Sequence, residues 1–226
     1  MALYVDCAYV DEVAAICATY PVAGVTTNPT LWLAAIERGQ RLDDVALVRE
    51  LLRVCTGLVF AQPSGADATA LANAALRYAA LDSARVVIKL PANTAGVAAA
   101  AQLQLAAVRF AFTAVYSRAQ AYAGALAGAE WLIPYFGRLR RAGLDPCAVI
   151  RDLRGIAGGE ALPASARILA ASLKSPDDVA EAVLAGASDL TAPPDCIRAL
   201  PEDPLSLGDI TQFDQDAQRA RQLLGG

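Results

Sequence analysis

Histidine is absent from the 226 residues. That excludes a Ser-His-Asp or Cys-His nucleophile pair, a histidine metal site and a histidine acid or base. Proton transfer then falls to a carboxylate, a tyrosine, a lysine or bound water. Lysine is nearly absent too: of 19 basic residues two are lysines, Lys89 and Lys174, and seventeen are arginines. A net charge of −4 with no Lys/Arg tract argues against a nucleic-acid partner. The five cysteines are odd in number, scattered and without CxxC spacing, so small buried apolar side chains in a reducing compartment are expected, not disulfides or a zinc cluster. No long hydrophobic run is present: the most apolar stretch, 96–116, is interrupted by Gln102, Gln104 and Arg109, too polar for a membrane span. The opening MALYVDCAYVDEV is acidic, lacks a basic n-region and is not expected to be a signal peptide. These absences predict a cytoplasmic protein without membrane contact.

What is present is core. Hydrophobic residues make up 56% of the chain and 51 residues are alanine, enough for one sizeable domain over 1–226 with closely packed helices. Short apolar runs recur at Leu3–Asp6, Val22–Thr26, Leu58–Gln62, Val86–Leu90, Val108–Thr113, Trp131–Tyr135, Ile168–Ser172 and a weak Asp189–Thr191. Each reads as a strand buried on both faces. Between them lie helical patterns. Asp11 can cap one; Ala66–Ala80 carries Leu71, Ala75 and Leu81 at helical spacing; Asn93 or Thr94 can open another; Ser175-Pro176-Asp177-Asp178 is a start signal with acids at the positive dipole end. Eight strands alternating with helices predict an α/β fold, a single (β/α)8 TIM barrel. A doubly wound open sheet is the alternative, but no GxGxxG follows any strand.

In such a barrel the site lies at the C-terminal strand ends. The ends of the runs are Asp6, Thr26 to Asn28, Gln62, Lys89, Thr113, Tyr135, Ser172 and Thr191. One polar residue at a strand end only meets water; eight in step point to a shared mouth. Lys89 is the most informative, because Val86, Val87 and Ile88 place it on a buried strand. Burial strips hydration from an ammonium and lowers its pKa, which frees the amine as a nucleophile. A guanidinium cannot do this, so a lysine kept in an arginine-rich chain is notable. The plain alternative is a lysine whose stem reaches to solvent. Lys174 also follows an apolar run but falls beyond Ser172, in the loop before the next helix.

The sequence resembles the transaldolase and fructose-6-phosphate aldolase family of Schiff-base aldolases. The likeness rests on LYVD at the start, AGVTTNP (Ala23–Pro29), FAQ (Phe60–Gln62), VVIKLP (Val86–Pro91), TAVYSRAQ (Thr113–Gln120), ALAGAE and IPYFGR within Ala125–Arg138, ILAASLKSP (Ile168–Pro176) and FDQD (Phe213–Asp216). It implies the barrel, no cofactor and no metal, and sugar or sugar-phosphate substrates. By the same resemblance Lys89 is the Schiff-base lysine and Asp6 the carboxylate that handles protons at the donor hydroxyl. Asn28 is then a donor-hydroxyl ligand, Thr26 and Thr113 flank the catalytic water, and Arg138 and Ser172 grip the acceptor phosphate. An arginine fork suits a phosphate, and barrels commonly bind one after the seventh strand.

Gln62 and Tyr135 resemble the aldolases acting on free dihydroxyacetone; transaldolases carry glutamate and typically phenylalanine there. Glutamine cannot titrate, so Gln62, Thr113 and Tyr135 are expected to hold and polarise one water that can also hydrolyse the imine. The expected activity is aldol cleavage or synthesis between a small ketone and an aldehyde such as glyceraldehyde 3-phosphate. The alternatives are transaldolase transfer between sugar phosphates and, more remotely, a non-catalytic assembly or binding barrel. FGR after Tyr135 looks like the transaldolase branch. Ile133 departs from both branches: it stands where aldolases have alanine and transaldolases serine, beside the donor's terminal hydroxyl. Trp32 and the loop Thr30–Asp43 also depart from the family's character. The amphipathic tail Asp209–Leu224 is expected to pack on its own barrel or a neighbour, and the resemblance implies a homo-oligomer, commonly a pentamer or decamer.

Overall fold

A computed structural model describes residues 1–159 and 165–225. In chain order the elements are β1 (Ala2–Asp6), α1 (Val10–Thr19), β2 (Gly24–Thr26), α2 (Pro29–Glu37), α3 (Asp44–Val54), β3 (Leu58–Ala61), α4 (Ala68–Ala79) and β4 (Val86–Pro91). They continue with α5 (Thr94–Leu105), β5 (Phe110–Val115), α6 (Arg118–Leu126), β6 (Trp131–Pro134), α7 (Phe136–Arg141), α8 (Pro146–Ala157) and β7 (Arg167–Ala170). The chain ends with α9 (Pro176–Leu184), β8 (Asp189–Ala192), α10 (Pro194–Ala199) and α11 (Pro204–Leu224). The strands form a closed parallel barrel in sequence order, β8 pairing back to β1. The chain is therefore a (β/α)8 barrel, and the open sheet is excluded.

Two apolar layers follow from the period of two along each strand. Val5, Val25, Val59, Val86, Ile88, Leu132 and Ile168 face outward into the main core under the helices. Tyr4, Phe60, Val87, Ala111, Trp131, Ile133 and Leu169 point inward and fill the barrel. Lys89 is two residues beyond Val87, Asp6 two beyond Tyr4 and Tyr135 two beyond Ile133, so the alternation that fills the core also delivers polar groups to its upper end. The lower end is closed by Asp189, wholly buried. Its carboxylate accepts hydrogen bonds from the Ala2 amide and Trp131 Nε1, both at 2.9 Å, and from the Arg167 guanidinium.

Two of the three start signals operate as read. Asn93 accepts from Gly96 N at 2.9 Å and Ser175 from Asp178 N at 3.2 Å. Two readings are corrected. Asp11 does not cap α1; it lies in the first turn, with Tyr9 at the N-cap and no side-chain cap bond. The helix sought over Ala66–Ala80 begins at Ala68, because Asp67 is the residue whose carboxylate caps it, accepting from Ala70 N at 2.8 Å. The tail helix likewise starts earlier than Asp209, at Pro204, with Asp203 as cap. None of its residues is buried, and Leu205, Ile210, Phe213, Leu223 and Leu224 are exposed. No helix among the described residues is long and apolar enough to cross a membrane.

Candidate active site

A cavity of about 130 Å³ opens at the C-terminal ends of the strands, lined by Asp6, Asn28, Lys89, Tyr135, Arg138 and Ser172 among others. Six of the residues picked out from the sequence thus meet in one place. Lys89 is 2% exposed, and its Nζ donates to the backbone carbonyl of Thr27 at 3.0 Å. Burial lowers its pKa to about 8; the Asp6 carboxylate opposes the shift and the Arg138 guanidinium adds to it. Asp6 moves the opposite way. Burial pushes its carboxyl above the usual range, with Lys89 and the Thr26 hydroxyl the main forces holding it down. Burial thus weakens the charged form of both groups, lowering the amine's pKa and raising the carboxyl's.

Supporting contacts fix these groups. Thr26 Oγ1 donates to Asp6 Oδ1 at 2.8 Å and lies 2.7 Å from Thr191 Oγ1. Thr26 therefore orients the carboxylate. Thr113 Oγ1 and the Tyr135 hydroxyl are 2.8 Å apart. Burial raises the Tyr135 pKa, so the phenol is neutral and able to donate. The strand wall is irregular here: the β5–β6 register shifts between Thr113 and Val115, where Ala114 has φ 60°. Ser172 also adopts a left-handed φ, 63°. Non-glycine residues in that region cost about 1–3 kcal/mol and persist where the surroundings impose them.

Arg138 makes no ion pair among the described residues, whereas its neighbour Arg140 binds Asp178 and Glu181. Its guanidinium stacks 4.7 Å from the centre of the Tyr135 ring. Gly137 makes this placement possible. Its amide donates to Ser172 O at 3.1 Å, and a Cβ there would come within 2.5 Å of that oxygen. Close approach of α7 to the β7–α9 loop brings Arg138, Ser172 and Lys174 to one side of the cavity. Lys174 lies in the loop, as read, but lines the site. Sequence reasoning missed it; the one available signal was that it is one of only two lysines in an arginine-rich chain.

Two selected residues stand apart. Gln62 lines a neighbouring cavity with Thr27 and Asn28, and no hydrogen bond joins it to Thr113 or Tyr135. Ile133 is fully buried among the inward-facing residues and does not line the site cavity; Tyr135 and Ala171 do. Trp32 Nε1 donates to Leu42 O at 2.9 Å and closes the loop after α2.

Similarity to known proteins agrees with this geometry. Residues 3–224 match the family described as Transaldolase/Fructose-6-phosphate aldolase. A probable transaldolase of Symbiobacterium thermophilum is 33% identical over 221 residues, covering 98% of this chain and 99% of that one. One of Thermus thermophilus is 31% identical over 225 residues, covering 98% and 100%. Among solved structures, thiamine phosphate pyrophosphorylase from Pyrococcus furiosus superposes with a TM-score of 0.59 at 15% identity, covering 88% of this chain and 93% of that one. A putative phosphonomutase from Burkholderia cenocepacia gives the same score and identity over 97% and 92%. Those two likenesses are of fold alone. With a full-length family match and relatives above 30% identity, this chain belongs to the transaldolase/fructose-6-phosphate aldolase family.

Proposed function

We propose that the protein is a cytoplasmic Schiff-base aldolase, joining or cleaving a carbon–carbon bond between a small ketone (dihydroxyacetone or hydroxyacetone) and an aldehyde such as glyceraldehyde 3-phosphate. The observation that carries the reading is a buried lysine amine with a pKa near 8 facing a carboxyl whose own pKa is raised. The Lys89 amine attacks the ketone carbonyl, and the oxygen leaves as water. The resulting imine nitrogen draws electrons from the adjacent carbon, so no metal or organic cofactor is required. Asp6 takes and returns protons at the donor hydroxyl, aligned by Thr26. Asn28 binds a donor hydroxyl. Tyr135, bonded to Thr113, donates to the reacting oxygen. Arg138, Ser172 and Lys174 form a cationic, hydroxyl-bearing side suited to the acceptor phosphate.

The second reading, transaldolase, is favoured by the names of the relatives. The two differ in the fate of the intermediate: hydrolysis frees the ketone, whereas transfer passes it to a second aldehyde. Gln62 and Tyr135 favour hydrolysis. Borohydride reduction with a ketose, followed by peptide mapping, tests the covalent step; a label on Lys174 or none during turnover would sink it. A panel crossing dihydroxyacetone, hydroxyacetone and sedoheptulose 7-phosphate with glyceraldehyde 3-phosphate and erythrose 4-phosphate separates the two activities. Full inhibition by EDTA, restored by a divalent ion, would point to a metal-dependent mechanism instead.

We further propose a homo-oligomer, a pentamer or decamer by family likeness, built partly through α11, whose exposed apolar side chains have no cover on their own barrel. Sedimentation of the full chain and of Phe213→Ser should show a smaller assembly for the variant; a wild-type monomer overturns this.

A further inference from the structure

A cavity of about 70 Å³, separate from the one that holds Lys89, lies between α2, α3 and the segment after β3. One buried water takes about 10–15 Å³ of such room, so the space holds about five, close to the six non-hydrogen atoms of glycerol. Part of the wall is apolar. Leu47, Val48 and Ala61 contribute aliphatic groups, and Trp32, whose Nε1 is committed to Leu42 O at 2.9 Å, contributes only the ring of its indole. The rest is polar and mostly neutral. Thr27 lines this cavity and not the catalytic one, and its hydroxyl is the buried side-chain polar atom without a partner among the described residues. Such a group is costly to leave unpaired. Asn28 Oδ1 accepts from Leu31 N at 3.0 Å, which leaves its amide N–H groups to donate, and the Gln62 amide stands beside it in the same wall.

Charge narrows what can enter. Asp44 is the only ionised side chain in the lining, and its carboxylate already accepts from the Tyr78 hydroxyl at 2.7 Å and from Val45 N at 2.9 Å. With no cation to meet it, a phosphate or carboxylate placed here would be desolvated beside a like charge. Neutral hydroxyls on a short carbon chain suit both parts of the wall: carbon against the indole, oxygen toward the amides and the Thr27 hydroxyl. We propose that this cavity is a second, non-covalent site for a small neutral polyol of the glycerol class, held by Thr27 Oγ1, Asn28 and Gln62 against the Trp32 ring. Binding here needs no passage to Lys89 and no covalent step. It stands apart from the side of the catalytic cavity where Arg138 and Lys174 supply positive charge.

Glycerol has no carbonyl and cannot form an imine, so it is the probe. Saturation-transfer NMR on the full chain should show glycerol binding that saturates, without competition from glycerol 3-phosphate. Thr27→Val keeps shape and removes the hydroxyl; affinity should fall about fivefold, the contribution of one neutral hydrogen bond. Val48→Phe fills the cavity and should abolish the signal; if that variant does not fold, Thr27→Val decides alone. Arg138→Ala, in the catalytic cavity, should leave glycerol affinity unchanged. Loss of binding in Arg138→Ala with Thr27→Val unaffected would place the glycerol beside Lys89 and overturn the assignment. A wild-type protein with no saturable signal would mean that the cavity holds water only, and would overturn it equally.

Discussion

Lys89 donates to the carbonyl of Thr27 at 3.0 Å, and no hydrogen bond joins it to the Asp6 carboxylate in the same cavity. A neutral carbonyl stabilises an ammonium less than a bonded carboxylate does, so burial prevails and the pKa of the amine falls to about 8. Asp6 is anchored instead by Thr26, at 2.8 Å. The proposed nucleophile and proton carrier are thus held by separate partners, and each can be altered without removing the other.

The first consequence is a pH profile. In the proposed reaction the neutral amine is the attacking form, so kcat/KM should fall about tenfold per pH unit below about 8. Stability should carry the matching sign. The folded pKa of about 8 lies below a lysine's ordinary 10.5, so the unfolded chain binds more protons between those values and stability rises with pH across that window. Lys89→Met should abolish borohydride labelling and stabilise the protein at pH 7, by on the order of 3 kcal/mol at most. Denaturant melts at pH 7 and pH 10 measure this; a less stable Lys89→Met protein at pH 7 would mean that the ammonium is well solvated.

Thr26→Val keeps shape and removes the hydroxyl that stabilises the Asp6 carboxylate. A hydrogen bond to a charged group contributes about 1.5–3 kcal/mol, so kcat should drop about 10- to 100-fold with KM little changed. The Asp6 pKa, already raised by burial, should rise further and carry the acidic limb of kcat upward. A rate loss with no movement of that limb would assign Thr26 to packing.

Arg138→Ala should raise KM for glyceraldehyde 3-phosphate far more than for unphosphorylated glyceraldehyde, by about 1.5–3 kcal/mol. Lys174→Met should act in the same direction more weakly, since the flexible ammonium lacks the guanidinium's fork. Gly137→Ala should mimic Arg138→Ala, because a Cβ within 2.5 Å of Ser172 O forces α7 away from the loop. Equal losses with both acceptors would exclude a phosphate role for this side of the cavity.

At the opposite end of the barrel, Asp189→Asn should destabilise by about 2–4 kcal/mol, leaving activity of the folded fraction intact. The carboxylate is fully buried and gathers the Ala2 amide, Trp131 and Arg167, but Arg167 is half exposed and can turn to water, which keeps the cost below that of a wholly buried pair. Chemical denaturation with an activity assay on the refolded protein checks both parts.

The barrel was legible because apolar runs of three to six residues recur between helices, and that rhythm is imposed by strands buried on both faces. Lys89 was legible for a related reason: a charge inside an apolar run has few bland explanations. Asp189 was not, since it opens the weakest run and its partners come from β1, β6 and β7. Arg138 had no signal of its own within FGRLRR. Only the close approach at Gly137 separates it from Arg140, which is spent on Asp178 and Glu181. The placement of Gln62 was hidden as well, because period alone assigns a face to a strand residue, but beyond Ala61 the strand has ended and its alternation no longer holds.

Ile133 governs the last expectation. Trp131, Ile133 and Tyr135 share the inward face, so Ile133 does point into the barrel, below Tyr135 and without a polar atom to offer. It does not line the cavity itself, so only a dihydroxyacetone hydroxyl that reaches down past Tyr135 meets it; that hydroxyl is then left unpaired, at about 1–3 kcal/mol, or roughly 5- to 150-fold in kcat/KM. Hydroxyacetone lacks that hydroxyl and should be the better donor. Ile133→Ser should reverse the preference by supplying both room and a hydrogen-bonding group, with some loss of stability from the space left in the core. Should the wild type prefer dihydroxyacetone by a wide margin and Ile133→Ser change little, the donor's terminal carbon sits higher in the mouth, against Ala171 and Tyr135, and Ile133 serves only to fill the barrel beneath it.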